Sequence, residues 1–219
     1  MQRLEEDVRR LLDRAEFLIV LATAFALPVT LSLIATFGPV SAQQQVQLTN
    51  VDLQALIVQE AVVLLLLGWF LRVRGWHVAH FAAHPSWREL GEALGLFLLT
   101  SALCLVIGLA GNGGMEKPAS GNALDWAMIL AVSIMNPLFE ELFLCAYVLP
   151  FVIARRGTSV AVAVSLAIRL SYHTYQGAGG MILVAIAGLV LSIYFVRTRR
   201  IWPVLIAHGL LDFIGLAAA

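Results

Sequence analysis

Charge is sparse in this chain. Only 13% of its 219 residues are charged, against 60% hydrophobic, where a soluble domain carries about a quarter charged residues. Together with a mean hydropathy of +0.88, this excludes an ordinary soluble globule and implies a polytopic membrane protein. An excess of either sign is also lacking: 14 Lys and Arg balance 14 Asp and Glu. There is thus no basic footprint for nucleic acid. Two cysteines, Cys104 and Cys145, both in apolar runs, are too few for a disulfide framework. The N-terminus, "MQRLEEDVRRLLDRAE", mixes acid and base and lacks the short basic segment of a cleavable signal peptide. It reads as a cytoplasmic surface helix over 1–16, with Leu4, Val8, Leu11 and Leu12 on one face. No internal repeat or low-complexity stretch is evident.

What is present in quantity is long apolar runs. A hydrocarbon core requires about 20 apolar residues per helix. By that measure seven spans are expected, at 17–37, 53–71, 90–110, 125–150, 158–175, 180–196 and 201–217. The expected fold is an all-α transmembrane bundle of about seven spans plus the N-terminal helix, forming one integral membrane domain over 1–219. If the spans alternate, Arg3, Arg9, Arg10, Arg14, Arg72, Arg74, Arg88, Arg155, Arg156, Arg197, Arg199 and Arg200 share one side and Lys117 stands alone on the other. The positive-inside rule then places the N-terminus in the cytoplasm and the C-terminus across the cell membrane.

One stretch resists the apolar pattern. In "NPLFEELFLCAYVLP", Glu140 and Glu141 stand side by side with no basic residue within ten positions. Ionisable groups inside spans cost roughly 2.5–3.5 kcal/mol each on insertion scales and normally mark function. Here they are Glu60, Glu140, Glu141, Arg169, His173, His208 and Asp212, with Glu92 at an interface. The spacing of Arg169 and His173 puts both on one face of the fifth span, and His208 and Asp212 share a face of the seventh. Adjacent Glu140 and Glu141 point about 100° apart, so one is expected to face a reaction centre and the other a structural partner. Asn136-Pro137 is expected to kink or restart the helix just before them. Counting residues from the Arg155–Gly157 turn sets Glu140 and His173 at one depth. His208 is shallower unless that turn projects from the membrane.

A carboxylate, two imidazoles and a second acid within a membrane fit three chemistries: hydrolysis by a general base, a metal site, or a proton or ion path in a transporter. Spacing alone leaves all three open. Polar contacts that merely join helices explain one or two such residues, not seven.

Three strings, "EELFLC" (Glu140 to Cys145), "RLSYH" (Arg169 to His173) and "HGLLD" (His208 to Asp212), carry a resemblance. Over about 125–219 the chain resembles the CPBP family of intramembrane proteases, named for CAAX-protein and bacteriocin processing. That family is marked by Glu-Glu-x-x-x-Arg, Phe-x-x-x-His and His-x-x-x-Asn/Asp on successive helices. The resemblance implies an endopeptidase cutting a membrane-associated peptide or protein, with membrane lipid as its surroundings. Glu140 would activate water, His173 would position it, and His208 and Asp212 would line the oxyanion side, with Glu141 in the same constellation. Two positions depart from the pattern: Cys145 replaces the arginine and Arg169 the phenylalanine. The expectation is that Arg169 relocates the missing cation, pairing with Glu141 and leaving Glu140 for chemistry. Asp212 in place of the more usual Asn leaves an amide donor missing unless its carboxyl is protonated. No cofactor is expected. Zinc, held by Glu140, His173 and His208, is the metal-dependent form and is not favoured, because this acid and these histidines come without a fixed ligand spacing such as His-x-x-x-His on one helix. Alternatives are a non-enzymatic membrane partner or immunity-type protein on the same scaffold, or an ion- or proton-coupled transporter.

Other motifs weigh less. His77, His80 and His84 fall in a basic connector beside tryptophans and are expected to pack at the interface. Tyr172, Tyr175 and Gln176 flank His173 and are candidate substrate contacts. Glu60 has no obvious partner and is expected to bond another helix. Oligomeric state is not legible.

Overall fold

The protein is described by a computed structural model. It covers residues 2–38, 49–76, 85–110 and 124–218, with side chains except at 2–12 and 109–110. The apolar face expected on residues 4–12, the histidines at 77, 80 and 84, and Lys117 lie outside that description. Every element within it is helical: α1 Gln2–Phe37, α2 Asn50–Val73, α3 Trp87–Ala110, α4 Trp126–Glu141, a π-helical turn Leu142–Val148, α5 Leu149–Arg156, α6 Thr158–Ser171, a 3-10 turn Thr174–Gln176, α7 Gly177–Thr198 and α8 Trp202–Ala217.

Among the described residues, five stretches are long and apolar enough to cross a membrane: Asp13–Phe37, Asn50–Val73, Trp87–Gly108, Trp126–Arg156 and Thr174–Thr198. The chain is a multi-pass membrane protein. The other two expected spans are helices too, but α6 has 14 residues and α8 has 16, short of the roughly 20 that a span requires. At the other end of the chain, α1 runs unbroken through the boundary expected at residue 16. Side chains such as Leu65, Trp69, Val106 and Ile134 stand well exposed. In a membrane they meet lipid, which imposes no penalty on apolar surface.

Local chemistry sets the helix ends. Thr49 and Asp52 form a capping box at the start of α2, and Ser86 with Glu89 does the same for α3. The turn from α5 to α6 is a single residue, Gly157, at φ 83°, a conformation that penalises any side chain. Glu92, expected at an interface, ties α3 to the end of α7 by accepting from Tyr194 and Arg200.

The continuous rod α4–π–α5 is the central post. Of its most apolar stretch 61% is buried, against 22% or less in the other four candidate spans. Phe139, Phe143, Leu144, Cys145, Tyr147, Val148 and Leu149 form its core face. α2 and α8 pack on α4, α6 packs on α5, and α3 backs α8. The rod spans 31 residues, about 46 Å at 1.5 Å per residue. That exceeds a hydrocarbon core of about 30 Å.

The expected restart at Pro137 does not occur. α4 runs through it to Glu141. Proline has no N–H to offer the carbonyl four residues back, here Ser133. Gly209 of α8 packs against that carbonyl so closely that a Cβ on it would lie 2.5 Å from the oxygen. The irregularity falls one turn later, where Leu149 N–H bonds Leu144 O across the π turn. Single π turns recur at functional sites, and this one begins at the residue after the glutamate pair.

Candidate active site

α4 brings Glu140 and Glu141 to the bundle centre, where both are buried. Arg169 reaches them from the last turn of α6. One terminal nitrogen donates to Glu140 Oε2 and the other to Glu141 Oε1, each at 2.7 Å. The exclusive Arg169–Glu141 pair expected from sequence is therefore corrected. Although the two acids point in different directions, the planar fork of a guanidinium arriving from a neighbouring helix spans the gap. Room for it comes from Gly188 on α7: a Cβ there would lie 2.9 Å from Arg169 Cδ and 3.0 Å from Nε. Cys145, at the position of the missing arginine, donates its thiol to Glu141 Oε2 at 3.1 Å.

α8 supplies His208 and Asp212 on one face, as expected. His208 Nδ1 lies 2.7 Å from Glu141 Oε1. A carboxylate only accepts, so Nδ1 carries the proton. Nε2 lies 3.5 Å from Asp212 Oδ1. The amide that Asp212 lacks arrives from α4: Asn136 Nδ2 donates to Asp212 Oδ2 at 2.9 Å.

His173 is not on the face of a span. α6 stops at Ser171, where the Ser171 hydroxyl turns back to Ile168 O at 2.7 Å. Such local bonds compete with helix continuation. His173 therefore sits on the turn beyond α6, with Nε2 3.6 Å from Glu140 Oε1. Its Nδ1 receives Gln176 Nε2 at 3.1 Å. An amide nitrogen only donates, so Nδ1 is the acceptor and Nε2–H faces Glu140. The turn is tied to α1 by hydroxyls: Ser32 and Thr36 bond Thr174 Oγ1 at 2.8 and 3.0 Å, and Tyr175 N–H donates to Ser32.

The three flanking candidates separate. Gln176 holds His173, and Tyr175 is 41% exposed beside it. Tyr172 is buried, stacked on Phe25 at 5.5 Å and 11°, and its hydroxyl has no partner among the described residues. Phe25, Phe139 and Phe143 continue that wall.

Glu140, Glu141, His173, His208, Asp212 and Arg169 thus converge, from α4, α6, the following turn and α8. Missing from the sequence reading are Asn136 and Gly188, together with Ser32, Thr36 and Thr174. Asn136-Pro137 was legible only as a helix breaker, and a glycine in an apolar run carries no sign of what it adjoins. Among the described residues, Glu140, Glu141 and His208 form the group whose ligand atoms lie within 4.8 Å of one another. The expected metal set, with His173 in place of Glu141, is not that group.

Residues 122–214 match the family model described as Type II CAAX prenyl endopeptidase Rce1-like. That stretch contains every one of these converging side chains and agrees with the resemblance drawn from the three motifs. Comparison with curated proteins and with solved structures gives no match.

Proposed function

We propose, from the match of residues 122–214 to the Rce1-like CAAX prenyl endopeptidase family and the geometry around Glu140, that the protein is an intramembrane endopeptidase. It hydrolyses a peptide bond of a membrane-associated substrate. The observation that carries the reading is the division of labour on one carboxylate. Glu140 Oε2 is clamped by Arg169, while Oε1 faces His173 Nε2 at 3.6 Å. That separation exceeds a direct hydrogen bond and suits two groups that share one water.

In this reading the water donates to Glu140 Oε1 and accepts from His173 Nε2–H. Glu140 removes its proton as the oxygen attacks the scissile carbonyl, and passes that proton to the departing amine nitrogen. His208 and Asp212, fixed by Glu141 and Asn136, line the side where the carbonyl oxygen gains charge, and the donor there is the second amide hydrogen of Asn136, the first being given to Asp212. Arg169 holds both glutamates in register and offsets their charge in a medium that solvates ions poorly.

The donor set fits poorly with a metal. Of the grouped ligands Glu140, Glu141 and His208, Glu140 Oε2 and Glu141 Oε1 already accept from Arg169. A divalent cation there would sit against a guanidinium of like charge. The reading therefore routes no step through a metal.

Positive-inside placement puts the N-terminus, the Gly157 turn and the Arg197–Arg200 end in the cytoplasm. The test is isotopic. Purified protein in lipid vesicles, given a membrane-tethered peptide in ¹⁸O-water, is expected to yield two fragments with one heavy oxygen in the new carboxyl group. An intact peptide across a panel of tethered sequences contradicts the reading.

A further inference from the structure

Glu60 stands outside the constellation just described, and its surroundings do not match the structural role expected for it. It is 2% exposed, on α2, and its Oε2 is buried with no hydrogen-bond partner among the described residues. An unpaired buried polar atom normally costs about 1–3 kcal/mol, so helix-to-helix bonding, which would remove that cost, does not account for it.

Its height in the bundle can be worked out. Asn50 Oδ1 accepts from Asp125 N–H at 2.9 Å, which pins the starts of α2 and α4 side by side, and the two helices pack together. Glu60 lies ten residues beyond Asn50, roughly 15 Å along α2, and Asn136 lies eleven beyond Asp125, roughly 16 Å along α4. Glu60 is thus level with Asn136 and one helical turn before Glu140. The Asn136–Asp212 bond marks that level on the α8 side. Glu140, Asp212 and His208 are the site groups within its electrostatic reach.

We propose that Glu60 is a substrate-positioning residue whose carboxyl oxygen accepts a main-chain N–H of the bound peptide one turn from the scissile bond. The inference rests on the endopeptidase reading. An extended peptide entering an apolar bundle carries N–H groups that neither lipid nor water satisfies. A lone acceptor beside the reacting carboxylate meets that need, and the substrate in turn supplies the bond that Glu60 lacks.

The test separates binding from cleavage. In vesicles, a fluorescent membrane-tethered peptide is titrated onto the Glu140→Gln protein with and without Glu60→Leu or Glu60→Gln. Leu is expected to weaken binding about tenfold, and Gln, which keeps an acceptor, to stay within about threefold. N-methylating the peptide amides in turn is expected to reveal one position where the methyl group weakens binding to the Glu140→Gln protein but adds nothing in the Glu60→Leu background. Because no hydrogen bond to Glu60 Oε2 forms among the described residues, Glu60→Leu is expected to leave the thermal midpoint unchanged or raised. A lowered midpoint with unchanged affinity assigns Glu60 to structure and overturns the proposal. So does equal affinity for both proteins, including no measurable binding by either. Cleavage by the Glu140-containing protein is scored in parallel. Cleavage with equal affinities sinks this inference alone, whereas binding without cleavage sinks the endopeptidase reading.

Discussion

Gly188 and Arg169 are fitted to each other across the α6–α7 seam. The glycine leaves the space through which the arginine side chain runs, and one added carbon would lie 2.9 Å from Cδ and 3.0 Å from Nε. A side chain at 188 is thus expected to act on the glutamates through the guanidinium. Overpacking of a tight core costs about 1–3 kcal/mol. Gly188→Ala should lower both the thermal midpoint and the cleavage rate, and Gly188→Leu should lower both further. An unaltered rate for Gly188→Leu would show that Arg169 is not held through this contact.

Because Arg169 bonds both acids, its removal leaves two buried charges rather than one. Stranding a buried charge costs roughly 3–5 kcal/mol. Arg169→Leu is therefore expected to be severely destabilised. Adding Glu141→Gln should recover only part of the loss, and adding Glu140→Gln as well should recover more. Thermal unfolding of the three proteins in detergent decides the matter. Full recovery by Glu141→Gln alone would restore the exclusive pair and refute the shared one.

The tautomer of His173 depends on Gln176. Gln176→Leu removes the donor to Nδ1 and is expected to slow cleavage about tenfold or more, within the range of one positioned proton-transfer group. Gln176→Glu should be worse, since a carboxylate can only accept: it favours the tautomer with the proton on Nδ1 and leaves Nε2 as an acceptor facing Glu140. Initial rates on one tethered peptide measure this. If Gln176→Glu is the faster of the two, the assigned tautomer is wrong.

Gly209 lets α8 approach the carbonyl freed by Pro137. A Cβ there meets backbone, which does not yield as a flexible side chain would. Gly209→Val is expected to cost about 1–3 kcal/mol and to disturb the His208–Glu141 bond that depends on the same approach. Thermal unfolding measures the first effect and the cleavage rate the second. Wild-type behaviour in both would show that the seam is slack.

Much of the site was legible because ionisable residues are so rare in this chain. Within apolar spans, Glu140, Glu141, Arg169, His173, His208 and Asp212 stand out individually, and burial in lipid leaves them little to do but meet. Helix positions were legible for a similar reason, since length and apolarity alone decide what can span. Which atom meets which was not legible. Sharing of Arg169 between both acids depends on the rotation of α6 against α4. The early end of α6 depends on a serine turning onto its own backbone. Asn136 completes Asp212 from a helix 76 positions away. Glu60 was legible as an anomaly, but its level beside Asn136 required the Asn50–Asp125 contact between two helix starts.

The most direct measurement compares the protein with its Glu140→Gln variant, both reconstituted in lipid vesicles with one membrane-tethered peptide and followed by mass spectrometry. The amide keeps the size of the side chain and can still accept from Arg169, but it cannot take a proton from water. The account predicts fragments from the first and none from the second, with Glu140→Gln still folded. Fragments formed at comparable rates by both proteins would contradict it.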